Sequence, residues 1–506
     1  MNANLYALFA ARFPQDRTAC CIETHDGRCT SWDELDRSSA RIATLLASLN
    51  LPADARIAVQ VEKSAEALLL YLATLRAGYS YLPLNTAYKA GEVGYFIGDA
   101  QPSVIVCSPA NESWIAPIAA EAGTSNVFTL GEPRNGVNTG SLLYRAAEQP
   151  DTFETVMRAA DDLAAILYTS GTTGRSKGAM LTHGNLASNA LVLQQTWRWQ
   201  PGDVLLHALP LFHVHGLFVA CHGALVNGSK MIFLPRFDAA EIARRMPEAT
   251  VFMGVPTYYM RLLTEASFNR QACEKMRLFV SGSAPLLTDT FHAFREHSGH
   301  TILERYGMSE TIMLTSNPYD GERVGGTVGM PLPEVSVRVV DASGQMLPAG
   351  EIGDIQVRGP NVFKGYWRMP EKTAEEFTAD GYFRTGDVGR FDERGYLSIV
   401  GRSKDLIISG GYNVYPKEIE DAIDEMEGVA ESAVIGIPHP DFGEAVMAVV
   451  VRRNGSGLTE ADVIQTLKSR IANFKVPKRV HFLSELPRNT MGKVQKNVLR
   501  EQFKNG

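Results

Sequence analysis

Nowhere does this 506-residue sequence hold the roughly eighteen uninterrupted apolar residues that a membrane-spanning helix needs, not even in LLLYLATLRAG at 68–78. The apolar opening MNANLYALFAARFPQD is interrupted by Arg12 and Pro14 and lacks a small-residue cleavage site, so it predicts an amphipathic helix, not a secretion signal. A soluble, cytoplasmic protein without membrane insertion is expected. Positive charge is not in excess either: 49 lysines and arginines face 56 acidic residues, for a net charge of −7. That balance removes any general pull toward nucleic acid, so attraction for anionic substrates has to be local. Cysteine is scarce, and Cys20, Cys21, Cys29, Cys107, Cys221 and Cys273 form no CxxC pair and no Cys/His cluster with metal-ligand spacing. Reduced, mostly buried thiols are expected. His213 and His215 read as alternate residues of an extended segment, which would point to opposite sides and argues against a shared metal. Internal repeats and low-complexity segments are absent as well.

What is present is enough apolar residue, 45% of the chain, to bury several cores, so two or more domains are expected. Residues 1–160 alternate helical patterns with short apolar runs such as ARIAVQV and PSVIVCS, the rhythm of parallel strands with crossover helices. The rhythm returns between DVLLHALP at 203–210 and MRLFVSGSAP at 276–285. From about 325 the pattern becomes strand-rich and turn-punctuated, predicting a partly antiparallel β subdomain over about 325–400. Beyond GYLSIVGRSKD, amphipathic YPKEIEDAIDEME, strand-like SAVIGIP and AVMAVVVR, and helical EADVIQTLKSRIA predict a compact module at 404–506.

The chemistry concentrates in loops. Tyr168 to Gly178, YTSGTTGRSKG, follows the apolar run LAAIL and lies at a strand-to-loop transition. Its glycines let successive N–H groups face one anion, and its hydroxyls with Lys177 add donors for polyphosphate oxygens. A Walker-type loop needs GxxxxGK[ST]; here Lys177 comes three residues after Gly174 and precedes a glycine, so a Walker-type NTPase is disfavoured.

Together with its continuation AMLTHGNL, this segment resembles the signature of the adenylate-forming superfamily, which includes acyl-CoA synthetases, luciferases and peptide-synthetase adenylation domains. Further motifs follow the superfamily's order across nearly the whole chain: LPLFHVHGL at 209–217, SGSAP at 281–285, ERYGMSET at 304–311, YFRTGDVG at 382–389, GRSKDLIISGGYNVYPKEIE at 401–420 and PRNTMGKVQK at 487–496. The resemblance implies an α/β fold, with a large N-terminal domain (1–400) of stacked α/β subdomains plus the β subdomain. A small mobile α+β C-terminal domain (404–506) would follow a hinge at about 401–405. It also implies an AMP-forming acid–thiol ligase that uses ATP, Mg²⁺ and coenzyme A.

Site residues follow from the same resemblance. Thr169, Ser170, Gly171, Thr172, Thr173, Gly174 and Lys177 would hold ATP phosphates. Ser283, Ala284, Glu304, Tyr306 and Gly307 would form the adenine pocket. Ser309, where relatives commonly have threonine, keeps a hydroxyl for a phosphate oxygen, and Glu310 offers Mg²⁺ a hard carboxylate ligand. Asp387 is expected on the ribose hydroxyls, with Arg402 supporting sugar and phosphate. Lys404 would mark the hinge, Gly410 and Gly411 would line a pantetheine tunnel, and Lys493 would be the catalytic lysine on a mobile loop. Related ligases are controlled by acetylation of that lysine, so a lysine acetyltransferase is an implied partner.

The acid is expected near His213, Val214 and Met308, where His213 either acts on the thiol or packs the pocket. Arg261 in VPTYYMRLL places a guanidinium on a helix that borders the pocket in this fold, suited to a second carboxylate; Arg236 in LPRFD is the alternative. Stretches outside the general motifs, including YLPLNTAY, SNPYDGERVGGTVG and NVFKGYWRMPEKT, resemble the bacterial malonate-activating branch of the acyl-CoA synthetases. Malonate is thereby implied, with methylmalonate tolerated. Other readings are a ligase for a different short acid, an adenylation enzyme loading a carrier protein, and a non-catalytic nucleotide binder.

Overall fold

The computed structural model of the chain describes residues 2–134, 137–169, 176–409, 412–439, 443–489 and 492–504. Two large sheets dominate it. The first has seven strands in the order Gly365–Tyr366, Lys177–Thr182, Leu163–Thr169, Ser80–Pro83, Arg56–Gln60, Val104–Cys107 and Asn126–Thr129. From Leu163–Thr169 onward the pairing is parallel, whereas Lys177–Thr182 returns antiparallel on both sides. The second sheet has nine strands, with a parallel centre of Cys20–Thr24, Lys230–Phe233, Val204–His207, Val251–Gly254, Leu278–Ser281 and Leu303–Tyr306.

Helix Ala65–Arg76, the AEALLLYLATLR segment, is buried at all twelve positions. An α-helix apolar around its whole circumference has no face to offer water and has to be enclosed by other elements. Most of its few polar groups are satisfied, Glu66 Oε2 being the exception among the described residues. Thr74 Oγ1 donates to the Leu70 carbonyl, Arg76 pairs with Asp36 at 2.8 Å, and the Tyr71 hydroxyl meets His222 Nε2 at 2.8 Å. Ser64 caps the N-terminus by accepting from the Ala67 N–H.

Strands Ser336–Val340, Gly353–Arg358, Phe383–Phe391 and Leu397–Arg402 form the antiparallel sheet that the turn-rich sequence predicts. Residues from Ile407 onward build an α+β unit around the long hairpin Val429–His439 and Gly443–Arg452, with helices Pro416–Asp424, Glu460–Arg470 and Lys496–Phe503. Apolar cores of its own lie on the two faces of that hairpin, Val434 and Val446 on one side and Ile435 and Met447 on the other.

Two expectations need correction. Cys20 and Cys29 are joined in a disulfide, because the hairpin of Cys20–Thr24 and Cys29–Ser31 brings their Cα atoms to 5.8 Å, a proximity that spacing alone does not reveal. Cys21, Cys107, Cys221 and Cys273 are free and buried, as expected. The His213–His215 segment is not extended: Val214 has helical dihedrals (φ −45°, ψ −50°) and leads into a wide π-helical turn, His215–Cys221. The two histidines are therefore not splayed to opposite faces, and the His215 N–H donates to His213 Nδ1 at 3.2 Å.

Tyr71→Phe tests the enclosed helix. It leaves His222, whose Nδ1 already has no partner, with neither ring nitrogen bonded. Chemical denaturation is expected to show a loss of about 1–3 kcal/mol.

Candidate active site

In open α/β sheets ligands gather beyond the carboxyl ends of the parallel strands. Three neighbouring strands, Val251–Gly254, Leu278–Ser281 and Leu303–Tyr306, deliver Gly254, Ser281 and Tyr306 to one rim. The chain then turns so tightly that side chains are excluded. A Cβ on Gly307 would lie 1.9 Å from the Ile312 carbonyl oxygen, and one on Gly282 would lie 2.3 Å from Arg305 Nη1. Ser283 takes a left-handed φ of +72°, an uncommon conformation for a residue with a side chain.

On one side of the rim, the Tyr306 hydroxyl donates to Asp387 Oδ2 at 2.5 Å, and Arg402 Nε approaches Asp387 Oδ1 at 2.8 Å. Asp387 and Arg402 are cross-strand partners in the antiparallel sheet, so their pairing is built into its register. Lys493 reaches the same place. Its ammonium pKa is pulled down to about 8, first by desolvation and then by the Arg402 charge, with Lys404 adding to the repulsion and Asp387 and Asp405 opposing it. Lys493 is exposed, and its backbone N–H donates to Asn489 Oδ1 at 2.9 Å. The preceding Gly492, at φ +73°, packs so close to Thr257 that a Cβ would lie 3.1 Å from its Oγ1. The lysine loop is thus seated on the first turn of helix Pro256–Leu263. Lys404 is exposed in the short turn Ser403–Asp405.

A second cluster surrounds Glu310. This carboxylate is buried, its pKa is raised by that burial, and its Oε1 accepts from the Tyr366 hydroxyl at 3.0 Å. Lys177 Nζ sits 4.2 Å above the Tyr366 ring and 3.6 Å from Glu376 Oε1. Thr169 lies opposite Lys177 across the strand pair, its Oγ1 3.4 Å from the Lys177 carbonyl. Ser170, Gly171, Thr172, Thr173 and Gly174, like Gly410 and Gly411, lie outside the described residues. Tyr366 and Glu376 are the partners that sequence reading missed. Among the described residues no three metal-binding side chains converge. Glu310 is a buried carboxylate with Lys177 and Arg402 as its nearby charges, and it fits an ion such as Mg²⁺ that takes one carboxylate plus phosphates and water.

The third cluster is the least expected. Arg305, on the strand between Glu304 and Tyr306, is buried, and its Nε and Nη2 have no hydrogen-bond partner among the described residues. Burial lowers its pKa to about 9, yet it remains a cation at neutral pH. Around it, His215 Nε2 and Ser281 Oγ are likewise buried and unbonded, and Ser283 Oγ meets His215 Nδ1 at 3.3 Å. Desolvation and the Arg305 charge together hold His213 neutral, its pKa lowered to about 4, and depress His215 further. Unsatisfied buried polar groups are costly and rare, so a knot of them marks a place for a polar ligand. Val214 is buried beside them and Met308 half-buried at the rim.

Helix Pro256–Leu263 buries Pro256, Tyr259 and Leu262, which leaves Arg261 exposed, with no hydrogen bond or ion pair among the described residues. It nonetheless shares a helix face with Thr257, four residues earlier, and hence looks toward the Lys493 loop. Arg236 is exposed at the mouth of a cleft of about 200 Å³ that Lys63 and Phe212 also line. Ala284 and Ser309 are half-buried on the loops around the rim. Glu304 supports one of those loops, its Oε1 accepting from the Leu286 N–H at 3.1 Å while burial raises its pKa to about 8.

A large two-sheet body and a small α+β cap that brings a lysine to a Tyr–Asp–Arg junction define an adenylate-forming enzyme. The chain belongs to the AMP-binding enzyme family: that family's model matches residues 7–367 and its C-terminal domain matches 418–493. It is 35% identical to a malonate–CoA ligase of Arabidopsis thaliana, over 100% of this chain and 90% of the relative. The ATP-bound crystal structure of MatB from Rhodopseudomonas palustris superposes with a TM-score of 0.96 at 57% identity, covering 100% of this chain and 99% of that one. The apo form of the same protein, with the same identity and coverage, gives 0.86.

Because Lys493 has a pKa of about 8 here, its cation is fully present below that pH and lost as pH rises through it. The kcat/KM for ATP in the pyrophosphate-releasing step is expected to fall about tenfold per pH unit above this point. Lys493→Arg, which stays charged, should abolish that limb of the profile.

Proposed function

We propose that this chain ligates malonate to coenzyme A in two steps, through malonyl-adenylate, with release of pyrophosphate and then AMP. In the first step one malonate carboxylate attacks the α-phosphorus of ATP. Lys493 is the cation on the oxygens where charge builds, Lys177 with Thr169 and the loop after it binds the phosphates, and Asp387 and Arg402 take the ribose. Ser283, Ala284, Tyr306 and Gly307 border the base, with Glu304 supporting their loop and Ser309 offering a hydroxyl to phosphate. Glu310 would hold Mg²⁺, which supplies charge neutralisation on the polyphosphate. In the second step the thiol attacks the acyl carbonyl and AMP leaves. A rotation near Lys404 would exchange Lys493 for the Gly410–Gly411 segment, since pyrophosphate exit and thiol entry need different lids. Acetylation of Lys493 would delete its charge and stop the first step. A cytoplasmic setting suits substrates of this kind.

The observation that carries malonate is Arg305. A monocarboxylate such as acetate would leave its guanidinium buried and unpaired, whereas the distal carboxylate of malonate satisfies it. His213 and His215 are neutral donors beside it, Val214 and Met308 close the apolar side, and Arg261 is a second, uncommitted cation at the lid. This assignment is tested by supplying malonate, methylmalonate, acetate, succinate and a medium-chain acid with ATP and coenzyme A, quantifying pyrophosphate and AMP. Malonate should be preferred. Arg305→Met should cut the malonate-over-acetate preference by about 100-fold or more and Arg261→Ala by about tenfold. An Arg305→Met enzyme with the parent's preference would remove this residue from acid recognition.

Lys493→Ala separates the two steps. Pyrophosphate release should fall by about a thousandfold, while thioester formation from supplied malonyl-adenylate is largely spared. Equal loss of both would contradict a role confined to adenylation.

A further inference from the structure

Behind the acid cluster lies a polar chain that the reaction scheme leaves unused. Lys63, between strand Arg56–Gln60 and helix Ala65–Arg76, is buried, yet no carboxylate bonds it. Its Nζ lies 2.6 Å from His207 Nδ1, 2.9 Å from the His207 carbonyl oxygen and 4.4 Å above the Phe233 ring. His207 ends strand Val204–His207, is buried, and stacks on Phe233 with ring centroids 5.0 Å apart. On its far side Nε2 is 2.9 Å from the Gly216 carbonyl oxygen. A carbonyl only accepts, so Nε2 carries the proton and Nδ1 accepts from the lysine. The tautomer is thereby set from both ends.

Gly216 is the second residue of the π-helical turn His215–Cys221, directly after the residues that aim His213 and His215 at Arg305. The segment has no slack: a Cβ on Gly216 would lie 2.0 Å from the Pro210 carbonyl oxygen. π-helical turns recur at functional sites and depend on outside contacts to hold their wide geometry. Here the outside contact runs from the seven-stranded sheet, through the nine-stranded sheet, to the turn. A buried amine without a carboxylate stabilises less than an apolar side chain of the same length would, so what it supplies is direction.

We propose that Lys63, acting through His207, is a positioning residue for the acid site: it fixes the His207 ring and the Gly216 carbonyl, and so holds His213 and His215 in register with Arg305. The inference rests on the reading of the Arg305 cluster as the acid site. Neither Lys63 nor His207 touches substrate in this scheme.

The test uses Lys63→Met, His207→Phe and His207→Gln in the full chain, with kcat, the KM for malonate and the KM for ATP measured separately and thermal midpoints recorded. Phenylalanine keeps the stacked ring and loses both nitrogens; glutamine can still accept from Lys63 and donate to Gly216. Lys63→Met and His207→Phe should raise the KM for malonate by about tenfold or more, leave that for ATP within about twofold, and not lower the midpoint in the methionine variant. His207→Gln should recover most of the loss. An unchanged malonate KM, malonate and ATP constants rising together, or glutamine as poor as phenylalanine would each overturn the proposal. If the parent enzyme does not prefer malonate, the acid reading fails, and the relay is judged on the KM of whichever acid it prefers.

Discussion

Two parts of the chain meet at one carboxylate. Asp387 and Arg402 face each other on neighbouring strands of the antiparallel sheet, and Tyr306 ends a strand of the nine-stranded sheet. Holding both oxygens of Asp387 at once fixes the relative position of those parts within hydrogen-bond tolerance, well under an ångström. Buried, the carboxylate would be costly alone; paired with a guanidinium and a phenol it becomes a rigid reference point. The rim loops gain their shape from the same junction, because Gly307 and Gly282 let the backbone pass where no side chain fits.

Against that rigid junction the acid cluster is left deliberately incomplete in its bonding. Among the described residues Arg305, His215 and Ser281 hold buried polar atoms without partners close to one another, whereas Thr74 and Arg76 in the enclosed helix are matched. Folding the chain around these groups costs stability that a ligand with complementary oxygens restores, which couples binding to specificity. A ligand lacking the second carboxylate restores less, so discrimination and affinity come from the same atoms. This is why neutral histidines suit the site. Next to a buried guanidinium a protonated imidazole would repel, and desolvation combined with Arg305 keeps both rings uncharged.

The motifs that were legible in the sequence are those whose chemistry is local. The two α/β layers, the antiparallel insert and the α+β cap follow from apolar rhythm and turn residues, and Tyr306, Asp387 and Lys493 follow from resemblance. What could not be read is tertiary. The partnering of Tyr306 with Asp387 links residues 81 apart, and the disulfide depends on a hairpin register. Arg305 is flanked by Glu304 and Tyr306, both read as nucleotide residues, and nothing local marks its side chain as enclosed. Strand alternation was the available signal: in ERYG, Glu304 and Tyr306 share one face and Arg305 takes the other. That a helix borders the site does not say which of its residues face it: the apolar spacing of PTYYMRLL buries Pro256, Tyr259 and Leu262 and so turns Arg261 outward. Nothing in His213-Val214-His215 announces a π-turn; its tightness shows only in the structure, where a Cβ on Gly216 would lie 2.0 Å from the Pro210 carbonyl oxygen.

The electrostatics of the junction bear on how the proposed lid could move. Arg402, Lys404 and Lys493 stand close together, and both lysines have a lowered pKa, first through desolvation and then through repulsion from Arg402. Asp387 and Asp405 offset part of it, but Asp405 is already committed to Arg500 at 2.6 Å. Arg453 and Asp289 stand 3.7 Å apart across to the C-terminal unit with both side chains well exposed, a pair worth about 0–1 kcal/mol, and Gly492 rests on Thr257 without a side chain. An arrangement that converges several cations is favoured when a polyanion lies between them. On the proposed mechanism ATP is that polyanion, and the loss of pyrophosphate removes most of its negative charge while the cations stay. Each turnover would then weaken the contact that the first step required, so the chemistry itself releases the cap for the thiol, with no separate trigger needed.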